Sequence, residues 1–387
     1  MRTSRNLWLL GMSFLLIFFG FDGFQQYITM YLRSLGTAHI GFLSLLLVYV
    51  AFMVGSLPAA SIVARFGAKR CMVAAVGPYA LYGFSLLTES PAAILGASIV
   101  LGAAAAVLWV AQSAYLVRAS STATYGADAG RFATMFSVGA ASGILILGIL
   151  LPHAGYRIGL ATFATVPLLA LILLTRLDDL RGDVQRRNWN AAFRMLHSPS
   201  ALRIAMIWFP FNCIQGFVLG VVPLRIQDVF GTTLAVGTLV GLFYLTPIVT
   251  AYALGALSDR IGRRGLTLVT FPLGIAGIGL LAIATSPVLL VIAITILALN
   301  FGLARTLTFA LVGDVTTDAT LDAFSALTWF VQSVALTIAF ALPLILNGDA
   351  LFLTAAALIA ATYVGYHPIR RTPHADIRRR IAEDTAR

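Results

Sequence analysis

The chain carries too few charged residues to cover the surface of a soluble protein of its length. Of its 387 residues, 59% are hydrophobic and 11% are charged, and Lys69 is the single lysine. An ordinary soluble domain has roughly 25% charged residues. The composition therefore excludes a cytosolic enzyme, a disordered regulator and a secreted disulfide scaffold, and it predicts a polytopic membrane protein.

Apolar runs long enough to cross a bilayer follow one another along almost the whole chain. Twelve helices of about 22 residues would use about 264 positions, which leaves room only for short loops and tails. The runs contain scattered Gly and Pro instead of the alternation typical of β-barrels, so an all-α fold is predicted. The predicted spans are 7–32, 39–63, 71–88, 92–117, 131–151, 158–175, 203–224, 233–257, 266–284, 288–311, 323–346 and 350–366.

The basic residues are sorted by side of the membrane. The net charge is +11. With the N-terminus inside, 22 Lys and Arg residues fall on the cytoplasmic side and only Arg33, Arg157 and Arg225 on the outside. The positive-inside rule then predicts a multi-pass protein of the plasma or inner membrane with both termini in the cytoplasm. The charge is explained by topology, and no nucleic-acid partner is expected.

The two halves of the chain carry the same landmarks. Corresponding pairs are Arg33 and Arg225, 192 residues apart, Pro78 and Pro272, 194 apart, and Pro91 and Pro287, 196 apart. Such a repeat predicts two pseudo-symmetric six-helix bundles, 1–175 and 203–367, followed by a cytoplasmic tail, 368–387. The polar segment 176–202 between them is predicted to be a cytoplasmic linker that rests on lipid or binds a partner.

A charged motif lies between the eighth and ninth predicted spans. Gly255, Asp259, Arg260, Gly262 and Arg263 form the pattern G-x-x-x-D-R-x-G-R-R with the next arginine. This pattern resembles the signature of the major facilitator superfamily. The resemblance implies two six-helix bundles around a central cavity, with this loop as a cytoplasmic latch between conformations.

The first-half copy of the motif is incomplete. It keeps Arg65, Gly67 and Lys69, but Ala64 replaces the acid. The repeat then predicts that Asp322 pairs with Arg65 and Lys69. It also predicts that Asp128 faces Asp259, Arg260 and Arg263 in the pseudo-symmetric position.

A second resemblance is confined to about the first 120 residues. The segments Leu35–His39, Ala64–Arg70 and above all Leu101–Leu116 are similar to the Unc-ninety-three-like proteins. These are facilitator relatives known as regulators of ion channels. The resemblance implies an alternative function, a non-transporting regulator of a channel or other membrane protein.

Asp22 is the one acid well inside a predicted span, about 15 residues or roughly 23 Å from the inner end. An acid within the bilayer is a functional hypothesis by default. Gln25 and Gln26 follow at i+3 and i+4, on the same helix face. If that face lines the cavity, Asp22 could exchange a proton with each side in turn. The alternative is that Asp22 lies near the outer interface and merely orders the glutamines.

The remaining polar residues inside the predicted spans are uncharged amides and aromatics. For each one alone, an interhelical hydrogen bond is an equal explanation. Together they predict a cavity for a small, weakly polar or amphipathic organic solute. The candidate residues are Trp109, Gln112, Tyr115, Asn212, Gln215, Tyr244, Asn300, Trp329 and Gln332.

No enzyme, metal or cofactor motif is found. Cys71 and Cys213 have neither metal-site nor disulfide spacing, and the five histidines lie in predicted loops and tails. We therefore predict a monomeric secondary transporter without cofactors that moves a small-molecule substrate across the lipid bilayer by alternating access. Proton-coupled export through Asp22 is the favoured direction.

Overall fold

The described part of the protein is helical. The computed structural model describes residues 2–120, 125–180, 194–261, 263–316, 320–367 and 372–386, and within these ranges there is no β-strand. Nine segments of the described residues are long and apolar enough to cross a membrane. The all-α fold expected from the sequence is confirmed, while the count of twelve spans stays a prediction.

Most helices coincide with a predicted span, whereas the seventh span, 203–224, is divided among three helices that begin at Pro199, Trp208 and Val222. The bounds of all the helices are α1 Arg2–Gln25, α2 Ile28–Ser34, α3 Ala38–Phe66, α4 Ala68–Leu86, α5 Pro91–Ala119, α6 Tyr125–Leu174, α7 Pro199–Ala205, α8 Trp208–Gly220, α9 Val222–Phe230, α10 Thr233–Ile261, α11 Arg263–Ile283, α12 Pro287–Val315, α13 Leu321–Ile345, α14 Gly348–Tyr366 and α15 His374–Ala386.

Two interruptions change the local course of the chain. The first predicted span is divided, because α1 ends at Gln25 and α2 begins at Ile28. The long helix α6 bends at Gly155, whose φ of 73° and ψ of 168° only glycine adopts readily. The two arms of α6 on either side of Gly155 correspond to the fifth and sixth predicted spans.

The chain divides into two compact units. Unit 1 contains Met1–Arg187 and Leu219–Leu245, and unit 2 contains Asn188–Val218 and Thr246–Arg387. The segment 219–245, which the sequence repeat assigns to the second half, therefore packs with the first half. The domain boundaries drawn from the repeat alone remain a prediction.

Close packing of α1 on α6 organises unit 1. A Cβ at Gly139 would overlap the backbone of Leu15, and a Cβ at Gly143 would overlap the backbone of Phe19. Small residues at a helix crossing let two backbones approach within the bilayer, where lipid supplies no hydrophobic drive for association. The glycines of α6 thus fix the position of α1, which carries Asp22.

In unit 2, α11 packs on α12 and α14, and the C-terminal helix α15 lies against α7 and α12. Ser198 donates a hydrogen bond to Asp384 at 2.5 Å, and Arg378 donates to the carbonyl of Asp314 at 2.8 Å. These polar contacts hold α15 on its unit.

Candidate functional site

Three polar side chains are buried in the last turn of α1 and just beyond it. The exposed fractions of Asp22, Gln25 and Gln26 are 7%, 1% and 0%. They stand at the interruption between α1 and α2, a place where a helix inside a bilayer bundle commonly exposes backbone groups to a site. All three residues are therefore buried, and their shared role stays a prediction.

Two tyrosines from neighbouring helices join this group. Asp22 interacts electrostatically with Tyr49 of α3 and with Tyr79 of α4. The side-chain amide of Gln25 lies beside the Tyr49 hydroxyl. Asp22, Gln25, Gln26, Tyr49 and Tyr79 are called the Asp22 cluster below.

The Asp22 cluster contains an unused donor. Among the described residues, nothing accepts a hydrogen bond from the buried Nε2 of Gln25. Buried amide groups are normally satisfied, so an orphaned one calls for a water, an ion or a ligand group. Together, the carboxylate of Asp22 and this amide can accept a proton and bind a carbonyl or hydroxyl oxygen.

Aromatic side chains of α1 that precede Asp22 pack against rings of neighbouring helices. The ring of Phe18 lies 5.3 Å from Trp109 of α5 and 4.7 Å from Phe136 of α6, centroid to centroid. Phe21 packs edge-on against Tyr79 at 4.8 Å. Offset and edge contacts of this kind stabilise a rigid aromatic wall. Trp109, a predicted cavity residue, is thus brought beside the helix that carries Asp22.

Unit 2 has a polar group of different chemistry. Asn212 of α8 donates to the carbonyl of Trp208 at 2.6 Å, and Asn300 of α12 donates to the carbonyl of Thr270. In the described residues, neither Asn212 Oδ1 nor Asn300 Oδ1 has a hydrogen-bond partner. Asn300 therefore ties α12 to α11, Asn212 bonds within its own helix, and each asparagine keeps one buried acceptor free for a donor group.

The other predicted cavity residues differ in how far they are buried. Gln112 is buried and accepts a hydrogen bond from Ser113. Tyr244 is buried against Phe243. Gln215, Trp329 and Gln332 are partly exposed.

Tyr115 is not brought to the Asp22 cluster. Its hydroxyl donates to the carbonyl of Asp178 at 3.0 Å. Asp178 belongs to residues 176–180, which follow α6 and which we call the strap. Sequence periodicity placed Tyr115 on one face with Gln112, but it could not show that the chain returns beneath that face.

The strap is tied to several helices of unit 1. Asn6 donates to Asp178 Oδ2 at 3.1 Å, and the backbone nitrogen of Asp178 donates back to Asn6 Oδ1 at 3.2 Å. Lys69 donates to the carbonyl of Leu177 at 2.6 Å. A Cβ at Gly67 would lie 3.8 Å from Asp179 Oδ1. The strap thus brings acidic residues close to the motif in which Ala64 has replaced the acid.

The predicted latch pairs are mostly beyond the described part of the chain. The side chains of Asp259, Arg260, Arg263 and Asp322, the surroundings of Gly255, and the whole of Gly262 lie outside the described residues. Within unit 1, Asp128 is 5% exposed and forms an ion pair with Arg131 at 3.3 Å. Arg65 is exposed and stacks over the ring of Phe66.

At the Arg33 end of unit 1, the segment 219–245 closes over the first-half helices. The hydroxyl of Tyr27 donates to the carbonyl of Ile144 at 2.9 Å, and Thr233 donates to the carbonyl of Gly148 at 3.0 Å. A Cβ at Gly148 would lie 3.0 Å from the Cα of Gly237. These five residues form what we call the Tyr27 junction.

Two further contacts reinforce the Tyr27 junction. Thr29 donates to the carbonyl of Gly220 at 3.1 Å, and Arg33 pairs with Asp228 at 2.7 Å. Both members of the ion pair are almost half exposed, so the pair is worth less than about 1 kcal/mol. Its geometry nevertheless keeps α9 against α2.

Sequence reasoning missed Tyr49 and Tyr79. Each lies in an apolar run where a tyrosine is unremarkable alone. A usable signal was that a tyrosine hydroxyl inside a span needs a hydrogen-bond partner, and that Asp22 and Gln25 were unassigned partners.

Comparisons with known proteins agree with the fold. A peptide transporter, POT, solved in complex with sulfate, matches with a TM-score of 0.75 over 97% of this chain and 95% of that chain, at 13% identity. UNC93-like protein 3 of Arabidopsis thaliana is 35% identical over 113 residues, 29% of this chain and 23% of that protein.

A relative in Caenorhabditis elegans, unc-93, is named as a candidate potassium channel regulatory protein. It is 33% identical over 116 residues, 30% of this chain and 16% of the relative. The aligned regions therefore span less than a quarter of either UNC93-like protein.

The family-wide match extends over most of the chain. The Major Facilitator Superfamily matches residues 10–340, and the matched range includes α2 to α12 in full. Such proteins are membrane transporters and not enzymes, as the absence of an enzyme motif in the sequence had indicated. The chain belongs to the Major Facilitator Superfamily.

Proposed function

We propose that the protein is a secondary transporter that moves a small, weakly polar or amphipathic organic solute across the cytoplasmic membrane by alternating access. In this proposal Asp22 is the proton-coupling residue and the direction is export. The observation that carries it is the buried Asp22 cluster at the interruption of the first helix. A carboxylate held among tyrosines and amides is expensive to keep inside a membrane unless it serves a function.

The composition of the Asp22 cluster favours the proposed class of solute. The cluster offers one ionisable group, one orphaned amide donor at Gln25 and an adjoining wall with Phe18 and Trp109. A few polar groups on an apolar wall are typical of sites for small organic ligands. A phosphate ester or sugar acid would need intramembrane cations, which the Asp22 cluster lacks.

The Tyr27 junction supports alternating access. Its hydrogen bonds and the approach of Gly148 to Gly237 close unit 1 at the Arg33 end, the end that the positive-inside rule places outside. We propose that the junction separates in the opposite conformation. A ligand that binds one conformation better would then shift the population toward it.

A ligand screen tests the proposal directly. The purified protein is heated in the presence of metabolites and drugs, at an acidic and an alkaline pH, and the apparent melting temperature is recorded. We expect at least one small organic compound to stabilise the protein, with a stabilisation that differs between the two pH values. Uptake of that compound into proteoliposomes under an imposed proton gradient then measures transport.

A second function is favoured by the similarity to unc-93 over 116 residues. In this alternative the protein regulates an ion channel or another membrane protein without transporting a solute. Stabilisation only by a co-purified membrane protein, with no response to any small compound, would support regulation and count against transport.

A further inference from the structure

An apolar groove opens on the surface of unit 1, outside the Asp22 cluster. It has a volume of about 330 Å³ and lies among α3, α4 and α5. Its walls include Ile62, Cys71, Ala74 and Val107. The volume is at the lower end of the range for small-ligand sites, about 300–1,000 Å³.

The groove ends at a pair of arginines. Phe66 and Arg70 line it, and the guanidinium of Arg65 lies over the ring of Phe66, 5.4 Å from its centroid. Helix α3 ends at Phe66 and α4 begins at Ala68. The arginines therefore lie at the helix ends, which the positive-inside rule assigns to the cytoplasmic headgroups, so that the apolar walls would extend toward the acyl chains.

The two arginines are available to an outside anion. Within the part of the chain that the structure describes, Arg70 makes no hydrogen bond or ion pair, and Arg65 makes only its contact with Phe66. Lys69, between them in sequence, is instead engaged by the strap through the carbonyl of Leu177. The nearby acid, Asp179, lies at Gly67.

The change in the first-half motif has a consequence at this groove. The second copy places Asp259 before its arginine, whereas the first copy has Ala64 before Arg65. An acid at position 64 would repel an anion from Arg65, and alanine does not. The first copy thus combines two arginines that form no ion pair within the described residues with an apolar groove, the charge pattern that attracts an anionic lipid.

We propose that this groove binds an acyl chain of an anionic phospholipid whose phosphate contacts Arg65 and Arg70. The aliphatic chain covers the walls around Cys71 and Ala74. This binding is independent of the proposed transport function, because it uses none of the Asp22 cluster.

Labelling of Cys71 tests the proposal. The detergent-solubilised full chain with Cys213→Ala is reacted with a maleimide while dioleoylphosphatidylglycerol or dioleoylphosphatidylcholine is titrated. We expect the phosphatidylglycerol to slow the labelling of Cys71 and the phosphatidylcholine to have little effect. Arg70→Ala should weaken that protection about fivefold, the change that about 1 kcal/mol per arginine corresponds to.

Two further variants separate the groove from general charge effects. Ala74→Phe fills the groove and should abolish the lipid dependence, with Val107→Phe as a second filling variant if the first does not fold. Arg203→Ala removes an exposed arginine of unit 2 and should leave protection unchanged. Equal protection by both lipids, protection by glycerol 3-phosphate alone, or equal behaviour of Arg70→Ala and Arg203→Ala would overturn the proposal.

Discussion

Both units contain polar side chains inside helices proposed to span the membrane, but the chemical types of those side chains differ. In unit 1 the first helix carries a carboxylate, Asp22, surrounded by tyrosines and glutamines. In unit 2 the corresponding position, 193 residues later, is Gln215, and two buried amides, Asn212 and Asn300, each donate one hydrogen bond. Because an amide does not titrate and a carboxylate does, we assign the proposed proton-dependent step to Asp22 of unit 1.

A second difference concerns which helices each unit uses. Unit 1 takes in the segment 219–245 from the second half of the chain. The Tyr27 junction holds that segment through the hydrogen bond from Thr233 to the carbonyl of Gly148 in α6 and by direct contact of glycines. The sequence repeat and the packing units therefore have different boundaries. The reason is that the contacts of the Tyr27 junction attach the segment 219–245 to unit 1.

The largest expected effect is that of Asp22→Asn. One coupled proton changes ligand affinity by up to about tenfold per pH unit, so the variant should lose a pH dependence of that size while still binding ligand. Binding of the compound found by the screen, measured across pH, checks it. Asp22→Glu should retain the pH dependence, and an unchanged profile in Asp22→Asn would remove the distinction between the units.

Gly148→Val should have the next largest effect. A Cβ at Gly148 would lie 2.5 Å from the hydroxyl of Tyr27, and overpacking of this kind costs about 1–3 kcal/mol. The Tyr27 junction should open. In a variant lacking native cysteines, maleimide labelling of Val236→Cys should increase.

The matched control for Gly148→Val is Gly96→Val, because a Cβ at Gly96 would meet no atom within 4 Å. Labelling of Val236→Cys should stay at its starting level there. Equal labelling in both glycine variants would mean that the junction is not a separable contact.

Asn300→Leu tests the amide group of unit 2. It removes the hydrogen bond to Thr270 and should lower the stability by about 1 kcal/mol, in line with interhelical hydrogen bonds in membranes. The pH dependence of ligand binding should persist. The apparent melting temperature and the binding profile check the two statements, and loss of the pH dependence would show that the titrating group is not confined to unit 1.

Tyr115→Phe should have the smallest effect. It removes one hydrogen bond to the strap, worth about 0.5 kcal/mol, and leaves the Asp22 cluster intact. A slightly lower melting temperature with unchanged ligand affinity is expected. A large loss of affinity would instead return Tyr115 to the binding site that its spacing on α5 had suggested.

The fold could be predicted from the sequence because the features that determine it are local. Charge scarcity and long apolar runs require membrane helices, and Asp22 stood out because ionised groups are rare inside spans. The site could be predicted only in part. Gly23 precedes the interruption after Gln25, but glycines are scattered through the spans and do not locate it, and the hydrogen bond between Asn6 and Asp178 joins residues 172 positions apart.

Tyr49 and Tyr79 illustrate the same limit. Their hydroxyls became meaningful only when tertiary packing brought α3 and α4 beside α1. Periodicity reports which residues share a face of one helix, and it carries no information on which neighbouring helix that face meets.

The contacts of the strap also have a consequence for folding during synthesis. Its partners Arg5, Asn6, Lys69, Tyr115 and Arg118 all precede it in the chain. Domains generally fold in order of synthesis, so the ends of α1, α4 and α5 can be tied together as soon as residue 180 has emerged from the ribosome. The first six predicted spans would then be fastened before the segment 219–245 arrives to complete unit 1.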